Sequence, residues 1–522
     1  MEPTALWIEV ERFQEARLAT TAGVYTAAQE HAMVQQFLSK VPLEALFQLL
    51  QSASDADDQQ KVKVVCTCLD RVLSSDGAEG MFFQPEMLPF ILAGLRHDER
   101  RARVLTVNQL IAHLQKKPTV EQASALANPL VLDEVCSVMA DEEVEVASKA
   151  SIVLDKLASL EGGDLYKPVI DALKTITRSS DMAESSVEYM RYLEALANIC
   201  EQKEQHMHYA ISTHAAEVII NCFKSNDALF LMNVLDLIPK LCQTQTGIQY
   251  IFESGTLQSL LGMTQDPLIG DSALRLIGEI SATAAKLNVE SWNWNDPMLT
   301  KAFLSTIESK IESTDAMQQI AAMDAIAAFA STSEKELNLL LQHQQLFKRL
   351  VQLGGSTKGP VKVNCFHAVA RILGVRTRLN VAPEHVPAEN ASLWALNERL
   401  FQAIGQEARR QSTMPLLMDN LRQPFDEIRN AVYTLLRAVA AQNNEWGLRA
   451  LLSYGGFFEF LLDRTTEPTK ETREWKFAVV DAVLASPFQT LLDATVLLQL
   501  QEHLRQGPYV GKSVTELEME AA

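Results

Sequence analysis

One short pattern returns along the whole chain: a compact apolar helix, a charged break, and a second apolar helix. The ends of the second helices align as Leu114, Leu157, Ile199, Leu241, Ile280, Phe329, Leu373, Val439 and Leu484. Successive markers lie 39 to 49 residues apart, with a single step of 66. Within the unit, Val104/Val107/Ile111/Leu114 returns as Ala147/Ala150/Leu154/Leu157 and again as Leu231/Val234/Ile238/Leu241. Apolar residues at i, i+3, i+7 and i+10 form one stripe of an α-helix.

A period of about 40–47 residues with two or three helices per unit is the armadillo/HEAT signature. The pattern therefore predicts an all-α solenoid of roughly ten repeats. At 522 residues the chain exceeds what one compact core supports. A solenoid escapes that limit because each repeat packs only on its neighbours. We expect a single continuous array over 1–522, with atypical capping repeats at both ends and an insertion near 374–424. That insertion carries a segment at 381–390 and an extra helix near 391–406, and the polar loop around Trp292 and Trp294 marks a smaller one. The breaks at 96–100, 140–143, 224–228 and 464–471 are rich in Asp, Glu and Ser. Such residues supply N-caps and suit the positive end of the following helix.

Net charge decides several classes. With 66 acidic against 46 basic residues the chain carries −20, which argues against nucleic acid. A basic protein surface is the natural partner of such a chain. No apolar run is long enough to cross a membrane. The acidic start is unlike a signal peptide, so the expected location is cytoplasmic or nuclear. Cys66, Cys68, Cys136, Cys200, Cys222, Cys242 and Cys365 fall in apolar helical stretches, as buried reduced thiols do.

Nothing in the chain composes a reaction centre. Cys66 and Cys68 are two apart, so on a helix they point away from each other, and core packing is the expected role. His206 and His208 share that geometry and read as a solvated helix end. The turn Gly354–Pro360 lacks the order of a phosphate loop and follows a helix instead of a strand. No enzyme activity, cofactor or metal is expected.

One surface pattern stands out. The positions eight and one before each marker read Thr106/His113, Lys149/Lys156, Arg191/Asn198, Asn233/Lys240 and Ser272/Glu279. Lys149, Lys156, Arg191 and Lys240, with Asn198, fall in register on one face off the buried stripe. Second helices of stacked pairs form the inner wall, so this reads as a basic ladder facing a partner. An ordinary solvated helix face would give the same register.

Several segments resemble the 26S proteasome non-ATPase regulatory subunit 5 family. They are Gly247–Gly255, Gln423-Pro424-Phe425 leading into the 431–442 helix, Gly456–Arg464 and Gly507-Pro508-Tyr509-Val510. The resemblance covers nearly the full length, most closely after residue 420. It implies a C-shaped helical-repeat chaperone of proteasome base assembly, a monomer outside the complex. Such a chaperone binds the C-terminal domain of an ATPase ring subunit and leaves before the mature complex forms. The partners implied are regulatory subunits 7 and 4 and non-ATPase regulatory subunit 2. The competing reading is an armadillo-type cargo adaptor or general scaffold. Adaptors of that type place Trp at fixed positions in successive repeats, whereas Trp7, Trp292, Trp294, Trp394, Trp446 and Trp475 do not follow the period.

Overall fold

The computed structural model describes residues 3–18, 27–75, 82–179, 186–289, 297–374, 391–408 and 412–509. Among them the chain is helical, with no strand. The loop bearing Trp292 and Trp294, the segment 381–390 and Val510 lie outside the described residues. The chain divides into two compact units, Met1–Tyr250 and Ile251–Ala522.

In the first unit the second helices are Gln59–Leu73, Arg100–Gln115, Val144–Ser159 and Val187–Gln202, each packed on the next. The first helices Leu88–Leu95, Pro129–Met139 and Tyr166–Thr177 stack likewise and lie against their own partners, giving two layers. Short extra helices, Val120–Leu126 and Glu204–Ser212, lead into two of the pairs. Of the charged breaks, 224–228 caps its helix through Asp227, which accepts from the Leu229 and Phe230 amides, whereas Glu99 and Glu143 make no side-chain cap. Outside those breaks Asp58 accepts from the Lys61 amide and Ser186 from Tyr189. Each such cap is worth about 1 kcal/mol.

The stripe is the core. Ala147, Ala150, Leu154 and Leu157 are at most 1% exposed, and Val234, Ile238 and Leu241 are fully buried. Two departures have local causes. The expected helix through 231–241 is broken into Ala228–Leu235 and Ile238–Leu241, because Pro239 has no amide hydrogen and its ring crowds the carbonyl four residues back. In Arg100–Gln115 the helix is rotated, so that Val104 and Ile111 are half-buried while Leu105, Leu110 and His113 enter the core.

The second unit stacks Gly270–Lys286, Ala316–Ala330, Gly359–Ile372, Asp426–Ala440 and Lys470–Ala485 in succession. Gly278 permits a close contact between the first two of these helices. A Cβ there would stand 2.5 Å from the Ala325 carbonyl oxygen. Asp426–Ala440 has neighbours on both sides and is buried along nearly its whole length from Ile428 to Ala440. The inserted helix is present as Ala391–Glu407. The last described helix, Ala494–Gln506, buries only Leu500 and leaves Leu498 67% exposed. In the preceding helix Leu484 is half-buried and Val483 takes the core place, one residue off the expected stripe.

Candidate partner-binding surfaces

The five residues of the ladder lie on successive second helices of the first unit, and their chemistry differs. Lys149 bonds Glu145 one turn earlier at 2.7 Å, an exposed i,i+4 pair worth about 0.3–0.5 kcal/mol. Lys240 reaches back to Asn198 Oδ1 at 2.6 Å and to Glu194 at 3.2 Å, joining two repeats. The Lys156 side chain makes no hydrogen bond or ion pair among the described residues, Ser159 bonding only to its carbonyl, so its ammonium is available. Arg191 is different: its guanidinium donates to the carbonyls of Met139 and Asp141, both at 3.0 Å. It closes the C-terminal end of Pro129–Met139, where helix carbonyls lack partners. Lys149, whose pair is exposed, and the unpaired Lys156 can turn to a partner at little cost, whereas Lys240 must first release its part-buried bond to Asn198 and Arg191 is a brace.

Three other expectations change. His113, taken as a wet-face position, is 2% exposed; its ring stacks on Phe82 at 4.0 Å and Nε2 meets the Leu73 carbonyl at 3.1 Å. His206, expected at a solvated end, is 1% exposed, stacked on Tyr166 at 4.3 Å with Nδ1 3.0 Å from the Ile199 carbonyl. A short helix joining the repeats turns this one face of Glu204–Ser212 inward, while His208 stays exposed. Cys66 is half-buried where Cys68 is buried. Burial pushes their thiols up to about 12 and about 11, so both stay protonated at neutral pH. The other five cysteines are buried thiols that form no disulfide.

The second unit carries a trough of about 890 Å³ that runs obliquely over all five of its second helices. Its floor is made of small residues, Ala282, Ala327 and Ala368 among them. Across this floor Arg371 grips Glu279 with two bonds, of 2.6 and 2.8 Å, and beside them Arg275 bonds Asp324 at 2.9 Å. These pairs balance their own charge. Glu427 and Glu471 are exposed and make no ion pair among the described residues. His367 Nδ1 and Asn430 Oδ1 are buried without a hydrogen-bond partner, and both residues line the trough. Burial holds His367 down at about 4, so it is neutral. Trp475 is 5% exposed and closes this end.

Sequence reasoning missed the trough because its lining falls one position off the ladder: Asn364, Asn430 and Trp475 each precede their marker by nine residues, where the ladder positions precede it by eight and one. That register was available as a signal.

Helix pairs stacked in succession within each unit define an α-solenoid of the armadillo/HEAT kind. The chain matches the family described as "Proteasome non-ATPase 26S subunit" over residues 5–522, and it belongs to that family. The 26S proteasome non-ATPase regulatory subunit 5 of Homo sapiens is 21% identical over 537 residues, covering 99% of each chain. That of Drosophila melanogaster is 22% identical over 510 residues, covering 94% of this chain and 92% of its own. Among solved structures, a designed armadillo repeat protein in complex with the peptide (KR)4 is loosely similar. It is 16% identical with a TM-score of 0.35, over 52% of this chain and 98% of that one. Fold and family together suggest a scaffold. No helix among the described residues is long and apolar enough to cross a membrane.

Proposed function

We propose that this protein is a chaperone and scaffold in assembly of the base of the proteasome regulatory particle. It holds the C-terminal domain of an ATPase ring subunit, regulatory subunit 7 or 4, in a module that also contains non-ATPase regulatory subunit 2. It leaves before the mature complex forms. It acts by binding alone, without catalysis or cofactor, as a monomer outside the complex, in the cytoplasm or nucleus. The observation that carries this reading is the family match over nearly the whole chain. In the first unit the contact falls to Lys149, Lys156 and Lys240, with Asn198 beside them and Arg191 bracing the helix ends beneath. These side chains suit an acidic or mixed-charge surface on the ATPase domain.

Purification of the tagged protein from cell extract, with identification of what accompanies it, tests the proposal. The expected companions are ATPase subunits of the base, without the proteolytic core. Import factors in their place would favour the cargo-adaptor reading.

A further inference from the structure

We propose that the trough of the second unit is a binding site for an extended polypeptide segment of a partner protein. A lysine or arginine side chain of that segment is seated among Glu427, Asn430, Glu471 and Trp475. The site lies on other helices than the ladder, and it does not depend on the identity of an ATPase partner.

Shape comes first. Five consecutive helices at the usual interaxial distance of about 8–10 Å give a path of about 32–40 Å between the outer axes. An extended chain covers that in about ten residues at ~3.3 Å each. The alanine floor leaves room for a main chain lying close against the helices, and the lining is too polar for a lipid or an apolar ligand. A buried acceptor without a partner costs about 1–3 kcal/mol. Asn430 Oδ1 is such an acceptor on a residue that lines the trough, and a turn of its side chain toward an N–H of the ligand relieves it.

Charge selects the side chain. Glu427 and Asn430 are three residues apart on one helix, and Glu471 and Trp475 four apart on the next, so each pair shares a face. Both faces reach the same end of the trough. Glu427, Asn430 Oδ1 and Glu471 accept hydrogen bonds, and an indole favours a cation over its face. Arg371 and Arg275 are neutralised by Glu279 and Asp324, and Lys286 stands at the opposite end, so no unpaired cation among the lining residues faces this seat. An anionic ligand such as a nucleic acid meets two free carboxylates there and is disfavoured.

The probe is a fluorescent octapeptide of alternating lysine and arginine, titrated with the full-length protein at low salt and followed by anisotropy. E427K/E471K is the test variant. E121K/E142K is the control, carrying the same change in net charge on exposed acids of the first unit. Both variants are first checked for an unchanged melting curve. We expect the test variant to weaken binding by about tenfold or more, one decade in Kd. We expect the control to change it less than about twofold, and N430A to weaken it while leaving the net charge unaltered. Equal losses in the two charge variants would show attraction to an acidic chain in general and overturn the proposal. Unchanged binding in E427K/E471K would do the same.

Discussion

Arg191 and Lys156 share one face of the repeat, and their neighbours give them opposite roles. Arg191 donates to two carbonyls at a helix end, while Lys156 is unpaired among the described residues. Hydrogen bonds from a charged donor are worth about 1.5–3 kcal/mol, less where water reaches them. R191A should therefore lower unfolding free energy by about 1–3 kcal/mol, and K156A should leave it unchanged; urea denaturation of both measures the difference. A sequence shows that both are basic and in register. It does not show that the carbonyls of Met139 and Asp141, some fifty residues earlier, arrive beneath one of them. His113 and His206 teach the same lesson, since their stacking partners Phe82 and Tyr166 come from other helices. His367 gives a pH dependence of definite sign. Burial lowers it from 6.5 to about 4, so the unfolded chain binds the proton more readily than the folded one. Stability is then complete above about pH 6.5 and falls as pH drops toward 4. His503, held at about 4 mainly by burial, acts in the same direction. Melting temperatures across that window should fall for the parent and fall less steeply for H367Q.

At the scale of the helix, close packing between second helices sets the tolerances. At Gly278 an added methyl group meets the backbone of Ala325, which cannot move aside without parting two helices. G278A should cost about 1–3 kcal/mol, as overpacking does, despite alanine's better helix propensity. A gain in stability would mean that the two helices are not held this close. Leu241 is fully buried, and L241D places a carboxylate in an apolar layer at a cost of several kcal/mol. An unchanged melting temperature would show that the register is wrong. Helix existence and buried face were legible because the stripe repeats so often. The break before Pro239 was legible in principle, since the residue announces it, but apolar spacing continues across the gap and hides it. The rotation of Arg100–Gln115 was not legible, because Leu105 and Leu110 match the period as well as Val104 and Ile111 do.

At the scale of the molecule, the all-α repeat architecture follows from periodicity, while the binding surfaces require knowing which wall each helix joins. The ladder could be written from alignment alone. That Lys149 and Lys156 can turn and Arg191 is fixed is a property of the assembled wall. Function rests on a longer inference, from a family match to the holding of an ATPase domain, and it can be tested in one binding experiment. The purified C-terminal domain of the regulatory subunit 7 ATPase is titrated with the full-length protein and with K149E/K156E/K240E, which spares Arg191 and hence the fold. Gel filtration and calorimetry at low and moderate salt read the result. The account predicts a one-to-one complex with the parent. It predicts association slowed and affinity lowered by about tenfold or more in the variant, with a weaker dependence on salt. Equal binding by parent and variant would remove the ladder from the interface, and no complex with the parent at low salt would contradict the central claim.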